Sequence, residues 1–104
     1  MRLTLVSLAV AGVAFAGNVQ AQSGEDLLKK YACVACHQVD KKVVGPAYKD
    51  VATKYRGNAK APALLAEHVK KGSVNVWGPI PMPPNAQVPD ADVQKLVSYI
   101  LALK

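Results

Sequence analysis

Cysteine and histidine are scarce in this 104-residue chain, which has two of each. A structural zinc site usually takes four Cys or His ligands, and His68 lies far in sequence from the other three, so zinc is disfavoured. A disulfide between Cys33 and Cys36, or a thioredoxin-like redox pair, is the other reading of the two thiols. The thioredoxin reading needs a βαβ pattern nearby, and no stretch reads convincingly as a strand. There is no internal repeat and no low-complexity tract. Aromatic residues make up only 6%, which suits a small core completed by a bulky cofactor. No apolar run reaches the ~20 residues that span a bilayer. Acidic residues number 7 against 13 Lys and Arg. No basic helix with interleaved aromatics accompanies that excess, so nucleic acid is not expected as a partner.

The longest apolar run, Leu3 to Ala16, follows a positive start at Met1-Arg2. Small and polar residues come next, and Val19-Gln20-Ala21 resembles a signal-peptidase site. Residues 1–21 therefore read as a cleaved export signal, residues 22–104 as one domain, and the periplasm as the compartment. A retained membrane anchor is the alternative, and N-terminal sequencing of the exported product would separate the two. A domain this small buries a modest share of its surface and often needs a staple. The chain carries a formal net charge of +6. Such charge keeps a protein soluble and speeds encounter with acidic partner surfaces.

Cys33-Val34-Ala35-Cys36-His37 is the stretch that carries chemistry. C-x-x-C-H is the attachment signature of a c-type haem. On a helical turn both sulfurs face one side, and His37 follows at once to offer an imidazole to the iron. One covalent haem, held through Cys33 and Cys36, would be the staple.

The rest of the chain predicts an all-α fold of about four helices wrapped around that haem. Ser23 caps a first helix with acids in its first turn, and Leu27, Leu28 and Tyr31 share one side as it runs into Cys33. A polar loop over 38–44 closes at Gly45-Pro46. A second helix covers Ala47 to Arg56, with Tyr48, Val51, Ala52 and Tyr55 at helical spacing. A third runs from Ala63 to Lys71 after Pro62 and stops at Gly72. The last helix, Ala91 to Lys104, is capped by Asp90, carries an apolar stripe through Val93, Leu96, Val97 and Ile100, and packs on the first.

Ser73 to Pro89 holds five prolines and cannot be regular, yet Val74, Val76, Trp77, Ile80 and Met82 give it much to bury. Met82, fixed between prolines, is the favoured ligand for the second face of the iron, and His68 is the other candidate. A closed, six-coordinate iron suits electron transfer. A displaceable sixth ligand would instead suit a haem enzyme or a gas-binding protein.

The Cys33–His37 motif, Val44-Gly45-Pro46-Ala47-Tyr48-Lys49-Asp50-Val51, and Trp77-Gly78-Pro79-Ile80-Pro81-Met82-Pro83-Pro84-Asn85 together resemble bacterial cytochromes c-551 and c-552, small class I cytochromes c of the c8 group. The resemblance covers nearly all of 22–104. It implies that His37 and Met82 are the axial ligands and that the Pro46 carbonyl accepts the outer proton of His37. It also implies that Asn85 donates to or packs on the Met82 sulfur and that Trp77 bonds a haem propionate. Relatives place a basic residue, often Arg, where His68 falls, so His68 is expected near a propionate, where its titration would tune the reduction potential. The implied role is a soluble, monomeric periplasmic electron carrier, not an enzyme. The implied donor is a cytochrome bc1 complex, and the implied acceptor is nitrite reductase or a terminal oxidase. Lys30, Lys41, Lys42, Lys49, Lys70 and Lys71 are candidates for a basic ring around the haem edge.

Overall fold

The computed structural model describes residues 23–104. The expected export signal, residues 1–21, lies outside them. Four α-helices and a single 3-10 turn make up the regular structure of the described residues, with no strand beyond isolated bridges. Helix α1 is Gly24–Lys30, α2 is Tyr48–Tyr55, α3 is Ala61–Lys71 and α4 is Asp90–Leu101. The all-α expectation holds.

Helix α1 starts as its sequence dictates. The Ser23 hydroxyl accepts from the Asp26 N–H at 3.2 Å, and Glu25 and Asp26 sit in the positive first turn. It stops earlier than expected. The Tyr31 N–H closes on the Leu27 carbonyl at 3.1 Å, and Ala32 then takes φ 59°. A non-glycine residue seldom adopts that left-handed backbone. It reverses the chain and starts a separate 3-10 turn at Cys33–Ala35.

Helix α4 packs against α1, α2 and α3. Its buried stripe is Val93, Leu96, Val97 and Ile100, and it meets Leu27 and Leu28 of α1 in one core. At the edge of that contact the Tyr31 hydroxyl donates to Asp92 Oδ2 at 2.6 Å. This bond holds the phenol above its usual value of 10.0, with desolvation and the Asp92 charge adding to the effect. A group whose folded pKa is raised contributes stability below its unfolded pKa and loses it as pH rises through the folded one. Stability is therefore expected to fall as pH climbs past 10, and Tyr31→Phe should weaken that fall in melts taken across the alkaline range.

The start of α2 has no side-chain cap. Its first N–H groups bond instead to loop carbonyls: Tyr48 to Gln38 at 2.8 Å and Lys49 to Val39 at 3.0 Å. The polar loop after His37 is thereby folded back onto α2, which satisfies donors that a helix end leaves unpaired. Helix α3 begins two residues earlier than expected, at Ala61, and carries Pro62 in its first turn, where the missing N–H costs nothing. Gly72 ends it with φ 79°. A Cβ there would meet the Met82 carbonyl oxygen at 2.5 Å, so the backbone of the following segment passes where a side chain would stand.

That segment, 73–89, is irregular apart from one antiparallel bridge between Ser73 and Met82, closed by N–H···O bonds of 3.1 and 2.9 Å. Val88 within it is fully buried. The cap of α4 is Pro89, not Asp90: the Pro89 carbonyl accepts from Val93 at 2.9 Å, and Asp90 is the first helical residue. The Asp90 carboxylate is directed to Lys70, 3.3 Å away.

Candidate haem site

A cavity of about 370 Å³ opens between the helices and the 73–89 segment. Cys33, Cys36, His37, His68, Trp77 and Met82 all line it, together with Pro46 and apolar side chains of α2, α3 and α4. Residues spread over fifty positions of sequence are thus brought to one space.

The 3-10 turn places the two cysteines side by side, with the Cys36 N–H on the Cys33 carbonyl at 3.2 Å. Both are free thiols, neither fully buried nor exposed. Burial pushes the Cys33 thiol up from its ordinary value, and a neighbouring thiolate at Cys36 would push it further.

His37 is held on three sides. Its Nδ1 lies 2.8 Å from the Pro46 carbonyl. A carbonyl only accepts, so Nδ1 carries the proton and Nε2 keeps its lone pair for a metal. Tyr48 stacks on the ring with centroids 5.2 Å apart and planes at 23°. Gly45 covers the ring closely: a Cβ there would fall on His37 Cε1 and reach Nδ1 at 2.8 Å. A glycine before Pro46 and an aromatic residue opening α2 are the only traces of this clasp in the sequence. By its spacing alone Tyr48 is an ordinary core residue of its helix.

Two donors at this site have no protein acceptor among the described residues. The Tyr48 hydroxyl is buried with none, although buried polar atoms are nearly always bonded. Burial raises its phenol well above 10.0. The Trp77 indole N–H takes no acceptor among the described residues, and Trp77 is 37% exposed at the cavity rim. Met82 lines the cavity at the end of the bridge to Ser73, between Pro81 and Pro83. His68 lines it from α3. Asn85 stands apart. Its Nδ2 donates to the Pro83 carbonyl at 3.1 Å and not to the Met82 sulfur, and it does not line the cavity.

An apolar space edged by two free thiols, an oriented imidazole, a thioether and an unpaired indole N–H fits a porphyrin attached through two sulfurs. No three His, Cys, Asp or Glu side chains gather as a separate metal site among the described residues. The profile of the family described as Cytochrome c matches residues 21–104. The chain belongs to the cytochrome c family. It is similar to cytochrome c-551 of Pseudomonas aeruginosa, with 52% identity over 96% of this chain and 95% of that one. Its identity to cytochrome c-552 of Nitrosomonas europaea is 51%, over the same shares. The crystal structure of the wild-type Nitrosomonas europaea cytochrome c552 superposes with a TM-score of 0.75, covering 77% of this chain and 99% of that one at 56% identity. This cytochrome is a class I member of the c-551/c-552 group. It carries one covalent haem c through Cys33 and Cys36 and is a small monohaem electron carrier. No helix of the described residues is long and apolar enough to cross a membrane.

The candidate basic ring is partly reassigned. Lys42 lines the cavity. Lys70 is engaged elsewhere, its ammonium donating to the Ala86 and Val88 carbonyls at 3.1 and 2.7 Å and pairing with Asp90.

Proposed function

We propose that this cytochrome is a periplasmic, monomeric one-electron shuttle that accepts from a cytochrome bc1 complex and donates to nitrite reductase or a terminal oxidase, without catalysing a reaction of its own. Residues 1–21 serve as its export signal, cleaved after Ala21. The observation that carries the reading is that an oriented imidazole, His37, and a bridge-anchored thioether, Met82, line one apolar cavity. These two would hold the iron of the bound haem. The bound haem supplies an iron that alternates between ferric and ferrous states.

The protein does the rest. Pro46 fixes the tautomer of His37 and raises its basicity. A Met ligand favours the reduced state relative to a second His. Leu28, Val51, Leu65, Val69, Leu96 and Val97 give the cavity apolar walls, which exclude water from the charge change. Trp77 and His68 serve the propionates, and Asn85 holds the turn after Met82 through the Pro83 carbonyl. Electrons leave by the rim where Val44 and Ile80 are 47% and 62% exposed. Lys42 beside that rim supplies positive charge for a small, short-lived encounter. Stopped-flow exchange with a purified bc1 complex and with nitrite reductase tests this. Second-order rates should be fast and fall steeply with ionic strength. Slow, salt-insensitive exchange with both would contradict it.

A further inference from the structure

We propose that Lys54 is a latch: from α2 it holds the 73–82 loop closed over the haem site, and so governs how firmly Met82 stays in place. The inference rests on the reading of Met82 as the sixth ligand.

The loop is tied at its ends and loose in between. Ser73 and Met82 exchange both backbone bonds, while no backbone N–H···O=C bond involves residues 74–81. Asn75 adopts φ 57°, a left-handed backbone that asparagine tolerates better than most residues. Val74 is 69% exposed and Ile80 is 62% exposed, so burial of these side chains does little to hold the span. Pro79 and Pro81 stiffen its second half. A stiff span hung from one bridge swings as a unit unless something pins its far side.

Lys54 supplies that pin. Its Nζ donates to the Val76 carbonyl at 3.3 Å and lies 4.6 Å from the centroid of the Trp77 ring. The same ammonium sits 5.7 Å from the ring of Tyr55, which is buried in the core. The cation is therefore based on a fixed part of α2 and grips two consecutive loop residues, one by its main chain and one by its aromatic face. An exposed lysine on a helix is ordinarily just solvated, and three such partners distinguish this one. Among the described residues both polar tethers of the 74–81 interior come from it. Trp77 lines the cavity, so releasing it frees the wall next to Met82.

An exogenous ligand must wait for Met82 to leave, so its apparent affinity scales with the open fraction. Imidazole is a suitable probe because it is small and its neutral form is little affected by the loss of one lysine charge. An exposed cation–π contact and one hydrogen bond together correspond to about a five- to seventyfold change in that fraction. The ferric holoprotein of Lys54→Gln should therefore bind imidazole at least about fivefold more tightly than the unaltered protein. Lys54→Arg keeps both a cation and a donor and should bind as the unaltered protein does. Lys95→Gln, a charge change on exposed α4 surface, should have no effect. Affinity is read by optical titration, following loss of the weak long-wavelength sulfur–iron band. Absence of that band from the unaltered ferric protein would overturn the Met82 assignment and the latch with it. Its presence, with Lys54→Gln binding imidazole no more tightly, would overturn the latch alone. Failure of Lys54→Arg to restore the original affinity would also overturn it, since loosening would then reflect general damage to α2.

Discussion

Met82→Ala is expected to convert a closed redox site into an open one. The ferric protein should lose its long-wavelength sulfur–iron band, and the ferrous protein should bind carbon monoxide rapidly at neutral pH. Axial ligands move haem potentials over ~0.8 V, and the potential here should fall by on the order of 0.2 V. The effect is large because the thioether has no substitute close at hand. Of the other lining side chains, His68 sits on a separate helix, Lys42 on the loop after His37, and the two thiols are already committed to the haem. The fold should survive, because Met82 is held by its backbone bridge to Ser73, which alanine preserves. Spectra of both redox states with and without carbon monoxide check the result. A variant that keeps the band and refuses the gas would remove Met82 from the coordination sphere.

Replacing both cysteines, Cys33→Ala with Cys36→Ala, should have a still broader consequence: no covalent pigment and little fold. A cavity costs roughly 24 cal/mol per Å³ when nothing fills it. For about 370 Å³ that amounts to roughly 9 kcal/mol, an upper limit because one side faces solvent. Whole domains are stable by only about 5–15 kcal/mol. The core residues that do pack without help, led by Leu27, Val88, Val93 and Leu96, are too few to absorb such a loss. Haem staining on a denaturing gel should be negative, and far-ultraviolet circular dichroism should lose most of its helical signal. A colourless but fully helical product would show that the polypeptide needs no prosthetic group to fold.

Much of this was legible in the chain. The helices follow from apolar spacing, the stop at Gly72 from glycine, and the cofactor from five contiguous residues. Met82 stood out because prolines flank it. The remainder depends on contacts distant in sequence, which periodicity does not encode. Ala32 carries no mark of a left-handed residue, so α1 was expected to continue into Cys33. Asp90 is a good cap by type, yet Pro89 takes that place and Lys70 claims the Asp90 carboxylate. Lysines offered the least guidance. Lys70 counted as a surface charge available to partners, but three oxygens hold it in place. Nothing in its neighbourhood in sequence marks Lys54, although it bridges α2 to a loop some twenty residues on. Tyr48 and Gly45 were visible as types but not as the two walls of the His37 clasp. Each of these roles exists only once the chain has closed around the cavity.

Visible absorption of the purified protein in both redox states tests the central claim most directly. The account predicts sharp reduced bands from a thioether-linked haem, a weak sulfur–iron band in the oxidised form, and no change on adding carbon monoxide to the reduced form at neutral pH. Haem released by acid acetone, or a reduced spectrum that shifts at once with the gas, would contradict it.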